Sequence, residues 1–267
     1  MKPFVKWAGG KRQLLDEISR RLPDTYGDYY EPFLGGGAVL FGLQPKNAFV
    51  CDINPNLVDT YRSIRDDVDG VLDMLRLFDS SVATKETYMD FRDTYNHGVD
   101  VSDAERAALF IWLNKHAFNG LYRENSKGEF NVPFNNKTSG DSFDEDNLRE
   151  VSAYLRSVDL STGDFEEFLE RPREGDFVYV DSPYVPVSDT ANFTGYAKDG
   201  FSYEDHKRLM ESLYGLSRRG VKWMMSNNDV DLVRYWYKIY NIQSVDVRRS
   251  INAKGNRKGR EVIITNY

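Results

Sequence analysis

Leu14, Leu15, Ile18 and Leu22 recur at the spacing of one helix face, and Pro23 stops the pattern. An extended run, Tyr29-Tyr30-Glu31-Pro32-Phe33, leads through Gly35-Gly36-Gly37 into apolar Ala38-Val39-Leu40-Phe41, which predicts strand, glycine turn and helix. Ala48 to Cys51 predicts a second strand ending at Asp52. Asn54-Pro55 then opens a helix through Val58, Tyr61 and Ile64, since proline suits the first helical position. From about Val68 to Asn147 the signal is helical without strand alternation. Within it Ser102 and Glu105 form a capping box before Ala107, Ala108, Phe110, Ile111 and Leu113, and Gly120 closes that helix. A polar loop rich in Gly and Asn spans Arg123 to Ser142. Strand signals return at Phe177-Val178-Tyr179-Val180 and at Val221 to Met225. Between them Ser202 caps a helix carrying Leu209, Leu213 and Leu216 as far as Gly220. Ile242 to Val247 and Glu261 to Thr265 read as an antiparallel pair around a basic loop. The pattern predicts an α/β protein with a mixed sheet built from both ends of the chain and a mainly helical insertion.

At 267 residues, 40% hydrophobic and 14% aromatic, the chain has enough apolar surface to close a core and too much for a disordered polymer. The lone cysteine, Cys51, excludes an intrachain disulfide and supplies too few thiolates for a metal cage; a reducing cytoplasm is the expected setting. No signal-peptide stretch and no window of about 18 uncharged apolar residues is present, so no membrane association is expected. The net charge of −7 argues against indiscriminate binding to polyanions. Local sign differs: Arg248, Arg249, Lys254, Arg257, Lys258 and Arg260 follow one another with no acidic residue between them, a candidate phosphate clamp set against the alternative of a solvated hairpin tip.

Gly35 to Gly37 sits where a strand turns into a helix, a place where backbone approaches a ligand. A dinucleotide fingerprint would need glycine where Leu40 stands, and Gly9-Gly10-Lys11 lacks the spacer and the following Ser/Thr of a P-loop. Asp52, ending the next strand, is placed for a ribose diol. Asp181-Ser182-Pro183-Tyr184 directly follows the strand at 177–180, and ligands of open α/β sheets bind at strand carboxyl ends. The Asp181 carboxylate and the Ser182 carbonyl are two acceptors and Tyr184 a flat face, a set that would hold a planar heterocycle by an exocyclic amine. Pro183 fixes the turn. Cys51 follows Val50, where a carbon-5 cytosine methyltransferase would carry its nucleophilic cysteine after a proline. His97, His116 and His206 form no metal-ligand pattern, and His206 reads as a surface residue of its helix.

The series KWAGGK (Lys6 to Lys11), EPFLGGGAV (Glu31 to Val39), CDIN (Cys51 to Asn54), NGLYRENSKGEFNVPF (Asn119 to Phe134), GDFVYVDSPY (Gly175 to Tyr184) and TANFTGY (Thr190 to Tyr196) resembles the Dam-family adenine DNA methyltransferases, with the DpnII-type modification enzymes looking closest. The resemblance implies a Rossmann-like catalytic domain formed by 1–56 and 148–267, with a target-recognition domain at 57–147. It implies methyl transfer from S-adenosylmethionine, without a metal, to the exocyclic amine of an adenine in GATC of double-stranded DNA. It places the cofactor against Trp7, Lys11, Glu31, Phe33, Gly35, Gly37, Asp52, Ile53, Asp164, Phe165 and Asp181, with Asp164 meeting its adenine and Asp52 its ribose. Asn119, Leu121, Arg123 and Pro133 match positions that read base edges, and Lys6 matches one from the catalytic side. Arg to guanine and apolar contact to a thymine methyl are the expected major-groove contacts. The target base must leave the stack to be reached, and Tyr184 would stack on it. The sequence departs from the family at Ser182, where proline is usual, and at Lys137, where readers of GATC often carry an aromatic. Pro183 still restricts Ser182 to extended geometry, so the loop shape is expected to survive with less rigidity. A catalytically weak DNA- or cofactor-binding relative and methylation of the cytosine amine are the alternatives. The resemblance further implies a bacterial or phage-encoded protein working as a monomer, beside a separately acting restriction endonuclease where one exists.

Overall fold

The computed structural model describes residues 1–11, 13–138, 140–186, 200–249 and 257–267, with backbone alone at 248, 249, 257 and 258. In chain order the elements are α1 (Leu15–Ser19), β1 (Tyr29–Glu31), α2 (Ala38–Leu43), β2 (Ala48–Asp52), α3 (Pro55–Asp66), α4 (Val68–Asp79), α5 (Lys85–His97), α6 (Asp103–His116), a 3-10 turn (Phe118–Gly120), α7 (Glu145–Leu155), β3 (Val158–Thr162), α8 (Phe165–Phe168), β4 (Phe177–Val180), α9 (Tyr203–Arg218), β5 (Lys222–Asn228), α10 (Asp231–Trp236), β6 (Asn241–Arg249) and β7 (Arg257–Thr265). They divide into two compact units: Met1–Gly10, Gly35–Gln44 and Asn54–Thr162 form one, Lys11–Leu34, Pro45–Ile53 and Gly163–Tyr267 the other.

In the second unit six strands lie in the order β2-β1-β4-β5-β7-β6. β1 pairs in parallel with β2 and β4, and β4 with β5, whereas β7 runs antiparallel between β5 and β6. The fold is thus a mixed-sheet α/β arrangement of Rossmann type, and the order reverses beside β1, the position at which such sheets open a crevice at strand carboxyl ends. Val178 and Val180 of β4, Trp223 and Met225 of β5, and Val262 and Ile264 of β7 form one core face with Leu209, Leu213 and Leu216 of α9. That spacing on α9 is the expected apolar stripe, and its start is the reciprocal box in which Ser202 and Asp205 bond each other's backbone N–H. The first unit packs α3, α4 and α5 against α6, whose residues from Ala107 to Asn114 are all buried, and sets α7 on α3 and α4. Its N-terminal segment is held by two buried asparagines acting as strand mimics: Asn147 accepts from Lys2 N–H and donates to Lys2 O, both at 2.9 Å, and Asn114 does the same to Lys6 at 2.8 and 2.9 Å.

Four expectations change. The first helix is short because N–H groups of Arg21 and Leu22 bond three residues back, a tightening that leaves Leu22 outside it. α6 stops at His116 rather than Gly120, since the His116 carbonyl and the Phe118 N–H bond the returning chain at Asn135 and Pro133. The basic segment pairs further than its composition suggests: Asp246 stands opposite Arg260, Arg248 opposite Lys258 and Arg249 opposite Arg257. Lys254 lies outside the described residues, as do Thr190 to Tyr196. His206 is buried rather than on the surface, its ring 4.8 Å from Phe201 and 6.5 Å from Trp236. No helix among the described residues is long and apolar enough to cross a membrane, and none of their His, Cys, Asp and Glu groups is arranged to hold a metal ion.

Candidate functional site

In the sheet unit β4 ends in four buried residues and delivers Asp181 at the carboxyl edge of the sheet. Lys11 Nζ meets Asp181 Oδ1 at 2.7 Å and lies 4.5 Å from the centre of the Tyr184 ring. Burial raises the Asp181 pKa above the ordinary carboxylate value, while the Lys11 ammonium and hydrogen bonds from Lys11 and Ser226 pull it back. Ser226 Oγ on β5 donates to Asp181 Oδ1 at 3.2 Å and lies 3.0 Å from Tyr179 OH. The next two residues of β5 fix the chain just past the tetrapeptide: Asn227 Oδ1 accepts from Val185 N–H at 3.0 Å and Asn228 Nδ2 donates to Val185 O at 2.6 Å. Tyr184, half-buried, donates its hydroxyl to Glu261 Oε2 at 2.8 Å. Ser182 is buried, and its Oγ has no hydrogen-bond partner among the described residues.

The ends of β1 and β2 supply the neighbouring surface. Glu31, at the end of β1, is buried and accepts from Tyr29 OH at 2.7 Å. Asp52 ends β2, and its carbonyl accepts from Gly163 N–H at 3.2 Å, which sets the Gly163-Asp164-Phe165 turn against that strand end. Asp164 caps α8 through the Glu166 N–H at 2.8 Å and also receives Arg208 at 2.8 Å. Phe33 lies 5.3 Å from Phe165 and 5.8 Å from Phe201, and Ile53 is 70% exposed. Two carboxylates beside aromatic faces and an exposed isoleucine suit an adenosine, whose ring needs apolar walls and whose ribose and amine need acceptors. Burial pushes the Cys51 thiol up to about 11, so it stays protonated at neutral pH and is no nucleophile.

In the helical unit Trp7 stacks on Phe110 at 6.3 Å and on Tyr122 at 5.3 Å. Gly35 lies beneath it with φ +50°, and a Cβ there would be 2.9 Å from Trp7 Cδ1. Gly37, φ +68°, faces Phe41 and Tyr61, and the Tyr61 hydroxyl bonds Gly35 O at 3.0 Å. The predicted polar loop is a narrow hairpin: Ala117 bridges Phe134, Glu124 bridges Phe130, and Asn131 N–H donates to Arg123 O at 3.1 Å. Asn125 shapes its tip by accepting from the N–H groups of Lys127 and Glu129. Arg123 is exposed and steadied by Asn131 Oδ1 at 2.7 Å; Asn119, Leu121 and Pro133 are exposed along the same hairpin. Lys6 is exposed too, its backbone fixed by Asn114, which also donates to Gly120 O at 3.2 Å.

Thus Lys11, Glu31, Phe33, Asp52, Ile53, Asp164, Phe165 and Asp181 to Tyr184 gather in the sheet unit, whereas Lys6, Trp7, Gly35, Gly37, Asn119, Leu121, Arg123 and Pro133 belong to the helical unit. Sequence reasoning missed Asn114, Ser226, Asn227, Asn228 and Glu261. The polar run Ser226-Asn227-Asn228 closing an apolar strand was a readable signal, since buried polar groups at a strand end need partners there.

A family model described as D12 class N6 adenine-specific DNA methyltransferase matches residues 7–251. A Lactococcus lactis subsp. cremoris protein named Type II methyltransferase M1.LlaDCHI is 40% identical over 100% of this chain and 96% of its own length. Type II methyltransferase M.MjaIII of Methanocaldococcus jannaschii is 41% identical over 100% of this chain and 99% of its length. The DNA adenine methylase of Escherichia coli K12 is 36% identical over 96% and 91%. Matching across nearly the whole of both partners, the chain belongs to the D12 class of N6 adenine-specific DNA methyltransferases.

Proposed function

We propose that this enzyme transfers the methyl group of S-adenosylmethionine to the N6 amine of an adenine flipped out of double-stranded DNA, within GATC. The observation that carries the reading is the carboxylate of Asp181 at the carboxyl edge of β4, paired with Lys11 at 2.7 Å beside the Tyr184 ring. An adenine amine is a weak nucleophile because its lone pair is shared with the ring. Asp181 and the Ser182 carbonyl, accepting its two hydrogens, return that pair toward the incoming methyl. The acceptor is a backbone carbonyl, so serine in place of proline leaves it available. The Lys11 ammonium opposes the effect of burial and favours the ionised form of Asp181, the stronger acceptor. Tyr184 offers the face on which the extruded base stacks.

The donor, when bound, supplies an electrophilic methyl on a sulfonium and asks the protein only for alignment. In the sheet unit Glu31, Phe33, Asp52, Ile53, Asp164 and Phe165 would hold it. The Arg208 bond to Asp164 leaves that carboxylate oriented rather than mobile. The hairpin at 117–134 is the proposed reader of base edges through Asn119, Leu121, Arg123 and Pro133, with Lys6 contributing from the N-terminal segment. The ladder of β6 and β7 sets Arg248 opposite Lys258 and Arg249 opposite Arg257 in backbone register, and this basic segment is the proposed contact to DNA phosphate. Monomeric action and a separately acting endonuclease are part of the proposal; the type II names of two relatives support the latter.

The test is a duplex panel carrying GATC, GTAC or CATG, with 2-aminopurine at the target position. Fluorescence enhancement and tight binding confined to GATC, weakened across all duplexes by salt but relaxed in sequence preference by Arg123→Ala, are expected. Equal enhancement on every duplex would overturn the GATC assignment, and binding without enhancement would overturn base flipping.

A further inference from the structure

We infer that Glu261 is a positioning residue of the methyl transfer, holding the Tyr184 ring at the angle at which it receives the target base. The inference rests on the proposed stacking role of Tyr184. Glu261 comes from β7, some eighty residues beyond the tetrapeptide in sequence, and the antiparallel register sets it opposite Asn228 of β5. Asn228 holds the Val185 carbonyl at 2.6 Å. One ladder position therefore grips adjacent residues of this segment, the Val185 backbone from β5 and the Tyr184 side chain from β7. The Tyr184 hydroxyl donates to Glu261 Oε2 at 2.8 Å, and burial with the nearby carboxylates holds that phenol far above its ordinary pKa, so the donor proton stays in place. Lys11, 4.5 Å from the ring centre, limits its tilt, and Glu261 limits its rotation at the far end. A tyrosine tethered at its hydroxyl presents one plane to an incoming base. Released, it samples rotamers and stacks only part of the time.

The experiment compares Glu261→Ala, Glu261→Gln, Tyr184→Phe, Tyr184→Ala and the Glu261→Ala/Tyr184→Phe double variant on a GATC duplex. Turnover, the KM for DNA, cofactor binding and 2-aminopurine fluorescence are measured for each. Loss of a hydrogen bond to a charged acceptor should lower kcat/KM for DNA about tenfold in Glu261→Ala, with cofactor affinity unchanged. Glu261→Gln should recover most of the loss, since an amide oxygen also accepts from a phenol. The double variant should match Tyr184→Phe, because both remove the same bond. The inference fails if Glu261→Ala keeps wild-type kcat/KM, if it weakens cofactor binding as much as DNA binding, or if the double variant is additive. If instead Tyr184→Ala leaves fluorescence and the KM for DNA unchanged, the stacking role itself is wrong, an outcome separate from failure of the Glu261 tether.

Discussion

Gly35→Ala perturbs the point where the glycine turn meets Trp7. Two costs add there. Gly35 has φ +50°, in the left-handed region that an L side chain enters at about 1–2 kcal/mol. The added methyl would also lie 2.9 Å from Trp7 Cδ1 and 3.3 Å from Nε1. Trp7 cannot yield freely, because it stacks on both Phe110 and Tyr122, and overpacking of this kind costs about 1–3 kcal/mol. The expected total is about 2–5 kcal/mol, which at about 2–4 °C per kcal/mol lowers the thermal midpoint by about 4–20 °C. Gly128→Ala isolates the backbone part, since Gly128 has φ +77° and nothing within 4 Å of an added Cβ. Denaturant titration and thermal melts of both variants should differ by the packing cost, and a Trp7→Phe background should shrink that difference. Equal losses at the two glycines would refute the argument, as would a Gly35→Ala midpoint within about 1 °C of wild type.

Removing the buried hydroxyl that has no partner among the described residues by Ser182→Ala should raise stability by about 1–3 kcal/mol in denaturant titration and spare turnover; a loss of stability would mean that the hydroxyl is bonded. His206 is held neutral by burial, its pKa lowered from 6.5 to about 4, so its stabilising contribution is full above 6.5 and falls away as pH drops toward 4. At 1.36 kcal/mol per unit that component is about 3 kcal/mol, and the wild-type minus His206→Phe stability difference should shrink across that window; a difference independent of pH contradicts it. Turnover at saturating substrates should have an acid limb above the ordinary carboxylate pKa of 3.8, since Asp181 must be ionised and burial raises it. Lys11→Met should move that limb to higher pH, because the ammonium favours the charged carboxylate; a limb moved lower would refute the pairing.

What the sequence disclosed were features written in adjacent residues. Asn54-Pro55 opens α3, with Asn54 capping through the Leu57 N–H, and Ser202 opens α9 with Asp205. The apolar run at 177–180 is β4, and the chemistry-bearing tetrapeptide follows it directly. β3 and α8 escaped notice because Val158 and Leu160 give too short an alternation, and α8 has four residues. α6 is buried on nearly every side, so its apolar positions mark a core helix without saying which face meets which neighbour. Asn114 and Glu261 were illegible as site residues for one reason: their partners are Lys6 and Tyr184, and only the tertiary fold and the β5/β7 register bring them together. His206 was misread because a polar residue at the start of a capped helix looks solvent-facing, whereas Phe201 and Trp236 cover it.

The central claim, that Asp181 drives transfer to the adenine amine, is tested most directly by incubating a GATC duplex with methyl-labelled S-adenosylmethionine and digesting it to nucleosides. The account predicts label in N6-methyldeoxyadenosine alone, abolished in Asp181→Ala while that variant still binds the duplex. Label in N4-methyldeoxycytidine, or undiminished transfer by Asp181→Ala, would contradict it.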